Sequence, residues 1–326
     1  MSRRVMVAAL CVGGGIAALA VSPFVSAPSP SGPPSVAGLL LGWWPDVVFG
    51  VAAVVLAVLY LLGVRRVPGW PRGRTAMWLT GCAVVLVATS SGIGRYAPVM
   101  ISMLLASQVL LAVVAPVLLV LGGPVSLALR ALPRSGRDDV PGPREWLVAL
   151  LRSRVCRVLT QPAVAFGLLL GPFYLFYVFG SVDVVLGSHW SHLGINAVAL
   201  LAGYAFFWSV IGVDPGVRRL PHAGRIGQMA ALLLGIGYLA VVVGSANTVL
   251  GEGFLAALGL VDVAADQRNA GNLIWALGEM PVLVVLMATV AQWARADERA
   301  AVRADTEPDL AAYNDMLAEL ADPPRH

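Results

Sequence analysis

Lysine is absent from this chain, so apart from four histidines every basic side chain is one of 22 arginines, set against 18 acidic residues. Charge of either sign is scarce at 12%, while 58% of the residues are hydrophobic and the mean hydropathy is +0.81, a balance far outside that of soluble domains. Cysteine is scarce too: Cys11 and Cys82 fall in apolar runs and Cys156 in a polar stretch, with no spacing for a disulfide framework, a zinc site or a redox pair. No Gly-rich strand-to-helix phosphate loop occurs, and no nucleophile, base and orienting group recur at useful spacing, so no catalytic activity is expected. These absences leave an all-α integral membrane protein.

Apolar runs of about 20 residues, the length needed to cross hydrocarbon, lie near 5–25, 46–64, 76–94, 99–121, 162–180, 193–213, 227–250 and 272–293. The fold expected is therefore a bundle of seven or eight transmembrane helices. The ambiguity is the first run: "MSRR", an apolar stretch and "VSA" also read as a cleavable signal, against which Pro28 argues. The chain divides into residues 1–27, an N-terminal transmembrane helix or signal anchor; 28–45, an outer Pro/Ser/Gly-rich linker too polar and broken to hold structure; 46–294, a seven-helix domain; and 295–326, a cytoplasmic tail of helical pattern. The second half of the loop from Arg130 to Gln161 reads as a short amphipathic surface helix.

With the N-terminus inside, all but Arg95 and Arg268 of the 22 arginines fall on the cytoplasmic side, as the positive-inside rule requires. The basic pI thus reports topology and contact with anionic membrane lipid, and no nucleic-acid partner is implied. Whether the chain self-associates is left open.

Chemistry must come from the few polar groups near the outer face. "SVDVVLGSHWSHLG" places Asp183, His189 and His192 before or at a helix start, and the two histidines, three apart, share a face. The positive end of that helix disfavours imidazolium, leaving neutral rings able to bind metal. Met100 and Met103, also three apart, would add thioethers, and two His with Met suit Cu(I) better than zinc; methionine as packing filler is the plain alternative. Glu279 stands inside the last apolar run, where a carboxylate must be paired, protonated or facing water. Asp262, Asp266, Gln267, Arg268, Asn269 and Asn272 are read as capping the outer end of that helix, with a kink at Pro281. Arg95, Asn196, Asn247 and Glu252 are candidate polar neighbours of Glu279. Asp214 and Pro215 read as a turn at a helix exit. His222 and His326 carry no expected role.

The blocks "APVLLVLGGPVSLALRALP", "FFWSVIGVDP", "RLPHAGR", "DQRNAGNLIWALGEMP" and "QWARADERAAVRAD" resemble, in order and separation, those of the CtaG-type cytochrome c oxidase assembly factors of bacteria, and "AAYNDMLAEL" is similar to the tail of actinobacterial members. The resemblance runs from about Trp43 to Leu320. It implies a helical bundle in the bacterial plasma membrane that meets cytochrome c oxidase subunits and assists copper placement in the catalytic subunit. It also implies a histidine pair four apart in the helix "MISMLLASQVLL", where Leu104 and Gln108 stand here, and further histidines near Val198 and Ala240, which are missing. A copper site would then be shifted to His189, His192, Met100 and Met103, or lost, leaving a scaffold or a diverged paralogue. Glu279, with Asp266 and Gln267, is expected to line an outward polar cavity. The alternative class is a multi-pass secondary transporter or copper/ion permease using Glu279 and Arg95, although no internal repeat is visible. A haem carrier is disfavoured because no histidines face one another deep in the bundle.

Overall fold

Backbone amides in hydrocarbon have no water to bond, so apolar runs of this length close their hydrogen bonds within helices. The computed structural model describes residues 30, 32, 34–134, 142–180, 182, 186, 188–215, 220–246, 249–252, 255, 258–305 and 308–321. The expected first span at 5–25, Asp183, Asn247 and the chain end with His326 lie outside the described residues. Among those described there is no strand.

Among the described residues seven apolar helices form the bundle: α1 (Val47–Val64), α2 (Arg72–Ser90), α3 (101–121), α4 (Pro162–Val178), α5 (His189–Ile211), α6 (His222–Ser245) and α7 (263–305). Among the described residues six stretches are long and apolar enough to cross a membrane, and Pro162–Val178 is a shorter apolar helix. The last seven of the eight expected spans thus each contain a helix. Burial sorts them: 78% of the apolar window of Ile101–Ala131 is buried against 17% of that of α1, so α3 is the central helix and α1 a peripheral one. Around α3 pack α2, α5 and the start of α7, while α6 lies against α7, α4 against α5 and α1 against α2.

Three of these helices contain a π-helical turn, at Leu110–Val114 in α3, Tyr174–Val178 in α4 and Trp275–Glu279 in α7. In α3 and α7 the turn lies just before a proline, Pro116 and Pro281, whose ring displaces the carbonyl four residues back, at Ala112 and Leu277, and whose nitrogen has no proton to give; in α4 it follows Pro172. The expected kink at Pro281 is therefore taken up as a widened turn ending at Glu279. In α3 the same device has a packing consequence: a Cβ on Gly203 of α5 would lie 2.1 Å from the Ala112 carbonyl oxygen, so only glycine admits this approach.

One expectation at the helix ends is corrected and another is extended. The linker 28–45 does hold structure: Ser35 caps a short helix, Val36–Leu41, accepting from the Gly38 amide at 3.0 Å, and that helix packs on Gly92–Tyr96. Leu39 packs against Tyr96, Val99 and Met100, while Val36 and Leu41 at the ends of the helix stay exposed. At the opposite, arginine-rich end, Asp214 does more than end α5. Its carboxylate accepts from Val125 N (3.0 Å) and Ser126 N (2.8 Å), capping the helix Pro124–Ala131 from another part of the chain. The preceding Gly123, at φ +62°, turns the chain into that position. Tyr60 Oη donates to the Gly122 carbonyl at 2.8 Å, Trp70 Nε1 donates to Tyr60 Oη at 2.9 Å, and Trp78 stacks on Tyr60.

Beyond α3 the expected amphipathic segment appears as two short helices, Pro143–Arg152 and Arg154–Leu159, with no buried residue. α7 runs without a break into the tail to Asp305, and Pro308–Ala321 follows.

Candidate functional site

At the end of the bundle opposite the arginines, α7 begins earlier than its apolar run. Asp262 caps it, accepting from Ala264 N (3.0 Å) and Ala265 N (3.1 Å), which starts the helix at Val263. Asp266 and Gln267 therefore lie within the helix and are buried, at 4% and 3% exposure; the reading of both as caps of α7 is corrected. The polar composition of "VAADQRN" concealed a helical turn, because two of its polar side chains, Asp266 and Gln267, point into the bundle while Arg268 and Asn269 are exposed.

What they cap is the rest of the molecule. α3 starts after Met100 with no side-chain cap of its own. Asp266 fills that role across the bundle, accepting from Ser102 N at 3.2 Å and, in a short contact, from Ser102 Oγ. The negative carboxylate meets the positive end of α3, which favours it further. Gln267 Nε2 donates to the Val243 carbonyl at 3.1 Å near the end of α6, and its Oε1 accepts from Leu250 N at 2.7 Å. Two adjacent side chains thus tie α7 to α3 and to α6.

The histidines open α5. His192 Nε2 lies 3.2 Å from Asn196 Nδ2, and His189 stands edge-on to Trp190. The field of His189 reaches Asp46, the cap of α1, whose carboxylate accepts from Phe49 N at 2.8 Å. Burial pushes the Asp46 carboxyl up from the usual carboxylate range, opposed by the Phe49 amide and by His189. Met100 and Met103 pack in a small apolar cluster with Tyr96, Val99, Leu39, Leu260 and Val261. The structure brings the histidines together on one turn of helix and packs the methionines among hydrophobic side chains.

Glu279 occupies a third location. Its carboxylate lies in the seam between α6 and α7, where a Cβ on Gly237 would come 2.4 Å from Oε1, and the Trp275 indole one turn earlier bonds it. The candidate neighbours do not gather there: Asn196 bonds His192, and Arg95 lies against Gly42.

A pair that sequence reasoning missed occupies the middle of the bundle. Gln108 of α3, 1% exposed, accepts from Tyr177 Oη at 2.8 Å, while its Nε2 has no hydrogen-bond partner among the described residues. Asn196 Oδ1 is likewise buried without one. The signal available beforehand was a lone amide inside the otherwise apolar "MLLASQVLL", which calls for a partner wherever it is buried.

Residues 58–296 match the family described as cytochrome c oxidase caa3 assembly factor. The chain belongs to that family. It is also 41% identical over 303 residues to uncharacterized protein Mb0105 of Mycobacterium bovis and to uncharacterized protein MT0111 of Mycobacterium tuberculosis, alignments covering 89% of this chain and 46% of each relative. Uncharacterized protein ML1998 of Mycobacterium leprae is 39% identical over the same length. The chain thus spans less than half the length of these relatives. No solved structure matches.

Copper is the metal that oxidase assembly brings into question, and the donors among the described residues fit it poorly. Leu104, fully buried, has no ligating atom, and Gln108 is engaged with Tyr177. Among the described residues no group of three or more His, Cys, Asp and Glu is arranged to hold a metal ion. His192 has its Nε2 against Asn196, and a thioether set would require Met100 and Met103 to leave their apolar cluster.

Proposed function

We propose that this chain assists the maturation of cytochrome c oxidase, at the step that places copper in the catalytic subunit, as a membrane scaffold that does not itself ligate the metal. The observation that carries this reading is the Gln108–Tyr177 hydrogen bond beside the wholly apolar Leu104, at the two positions where the family resemblance implies histidines. A copper ion needs soft or imidazole donors, and an amide tied to a phenol offers neither. The arginine-rich end then faces the cytoplasm of a bacterial plasma membrane, where its charges meet anionic lipid, and the histidine end faces outward. Oxidase subunits are the partners; Glu279 serves the scaffold through its place in the α6–α7 seam.

The test joins two measurements. Deleting the gene in its own host should lower assembled oxidase, read as haem absorbance and oxygen consumption in membranes. The purified protein loaded with Cu(I) under reducing conditions should hold well under one copper per chain. About one copper per chain, lost in a His189→Ala, His192→Ala double variant, would replace the scaffold with a shifted metal site, and an unchanged oxidase level in the deletion strain would remove the oxidase reading altogether.

A further inference from the structure

We infer that the α6–α7 face around Glu279 is a docking surface for a transmembrane helix of a different membrane protein, and that this helix presents an arginine, lysine or histidine to the Glu279 carboxylate. The inference rests on the scaffold reading above and names the surface a scaffold would use.

Glu279 lies seven residues from Asn272 and thirteen from Gln292 along α7, about 10 and 20 Å at the rise of a helix, which places it within the apolar part of the span. It is half-buried on the rim of the bundle, with the exposed Trp275, Met280 and Val284 on α7 and the exposed Leu234, Tyr238 and Val241 on α6 beside it. Gly237 makes the notch: its missing side chain leaves the space that the carboxylate fills, so the acid lies flush in the seam and a helix can approach it. Among the described residues it accepts from Trp275 alone, one donor for a group that accepts several.

Several hydroxyls of the spans are satisfied within the chain. Thr289 Oγ1 bonds back to the Val285 carbonyl, Thr89 Oγ1 to Val85 and Ser107 Oγ across to Ala88. An ionisable group on the lipid side of a span is costly unless it is paired, protonated or reached by water; a docked basic side chain supplies the pairing, and close packing on small residues is how such partners approach. A second copy of this chain docking through the same face cannot supply that pairing. An isologous contact brings the same patch to both sides, and residues 226–245 and 271–292 contain no arginine, lysine or histidine. Among the described residues no basic side chain of this face is available to pair it, so the complementary charge is assigned to another protein, and an adduct at Val241 with this chain's own residues 1–29 would overturn that assignment.

The experiment uses the full chain in its host membrane with a photoreactive residue at Val241, and a control at the exposed Val54 on α1. The expected result is an adduct at Val241 with an integral membrane protein whose cross-linked helix carries Arg, Lys or His. Its yield should fall at least fivefold in Glu279→Gln, and return when Glu279→Lys is combined with replacement of the partner's cation by glutamate. Expression and unfolding midpoint of Glu279→Gln, unchanged, exclude misfolding as the cause. An adduct with a second copy, an adduct equally strong in Glu279→Gln, or labelling of lipid alone would overturn the inference. A cation-bearing partner outside the oxidase would uphold this surface while removing the oxidase reading; oxidase assembly that needs the gene but yields no adduct at Val241 would do the reverse.

Discussion

Asp266 and Glu279 are two acidic side chains on one helix, yet their surroundings are opposite. Asp266 is buried at 4% exposure and takes two hydrogen bonds from Ser102 at the start of α3. Glu279 sits on the rim of the bundle, in a notch opened by Gly237, with a single indole for company. The first carboxylate completes a helix end inside the chain; the second is left over after the chain has folded. An acid inside a membrane span is therefore not one kind of evidence: what it accepts, and from which molecule, decides whether it serves the fold or a partner.

That contrast breaks most visibly at Asp266. Replacement by alanine leaves Ser102 N–H and Oγ without an acceptor in a buried place and uncaps α3, a loss of about 3 kcal/mol of stability on the scale of charge-assisted bonds and helix caps. The unfolding midpoint in detergent should fall sharply and the folded yield with it, while Asp266→Asn, which keeps one acceptor oxygen, should lose roughly half as much. Gln267→Leu comes next. It strands the Val243 carbonyl and the Leu250 amide, at a cost of about 2 kcal/mol, and amide hydrogen exchange should rise first at Leu250, where the loop meets α7.

Period and hydropathy made the seven described spans legible, because an apolar run long enough to cross a membrane admits one backbone solution. They could not show that α7 begins at Val263. "VAADQRN" is polar by composition, and only the positions of α3 and α6 reveal that two of its side chains point inward to bond them. The same reason hid the role of Asp214, whose partners Val125 and Ser126 lie far away in sequence. His189 and His192 were legible as a pair at a helix start, since three-residue spacing is a local property. The positions of Met100 and Met103, in an apolar cluster closed by Leu39 and Leu260, depend on segments that no spacing connects. Family resemblance supplied what local pattern lacked, by marking Leu104 and Gln108 as departures.

Gln108 and Tyr177 sharpen the comparison from the middle of the bundle, since theirs is a buried polar contact that is only partly satisfied. Tyr177→Phe removes the donor and leaves both ends of the Gln108 amide without partners, so stability should drop by about 1–2 kcal/mol. Gln108→Leu strands the phenol by a similar amount. Combining the two removes both polar groups together, and replacement of both partners by apolar groups of like shape is close to neutral. The double variant should thus unfold at a higher temperature than either single one, a reversal that additive losses cannot produce. If it unfolds lower than both, the pair is a structural necessity of α3 and α4, and the place of Gln108 at one of the two histidine positions says nothing about copper.

The smallest effect on stability belongs to Glu279. Glu279→Gln keeps the side chain's length and an acceptor for the Trp275 indole, and nothing else in the folded chain is bonded to the carboxylate among the described residues. Its unfolding midpoint in detergent should match wild type to within about 0.5 kcal/mol, the range of substitutions at exposed positions, against the larger loss expected at Asp266. In the host membrane the order should invert, with Glu279→Gln lowering assembled oxidase while a stable but partner-neutral change such as Val54→Leu leaves it alone. A Glu279→Gln protein as unstable in detergent as Asp266→Ala would mean that the seam carboxylate holds α6 to α7 after all, and the two acids of α7 would then differ in exposure but not in purpose.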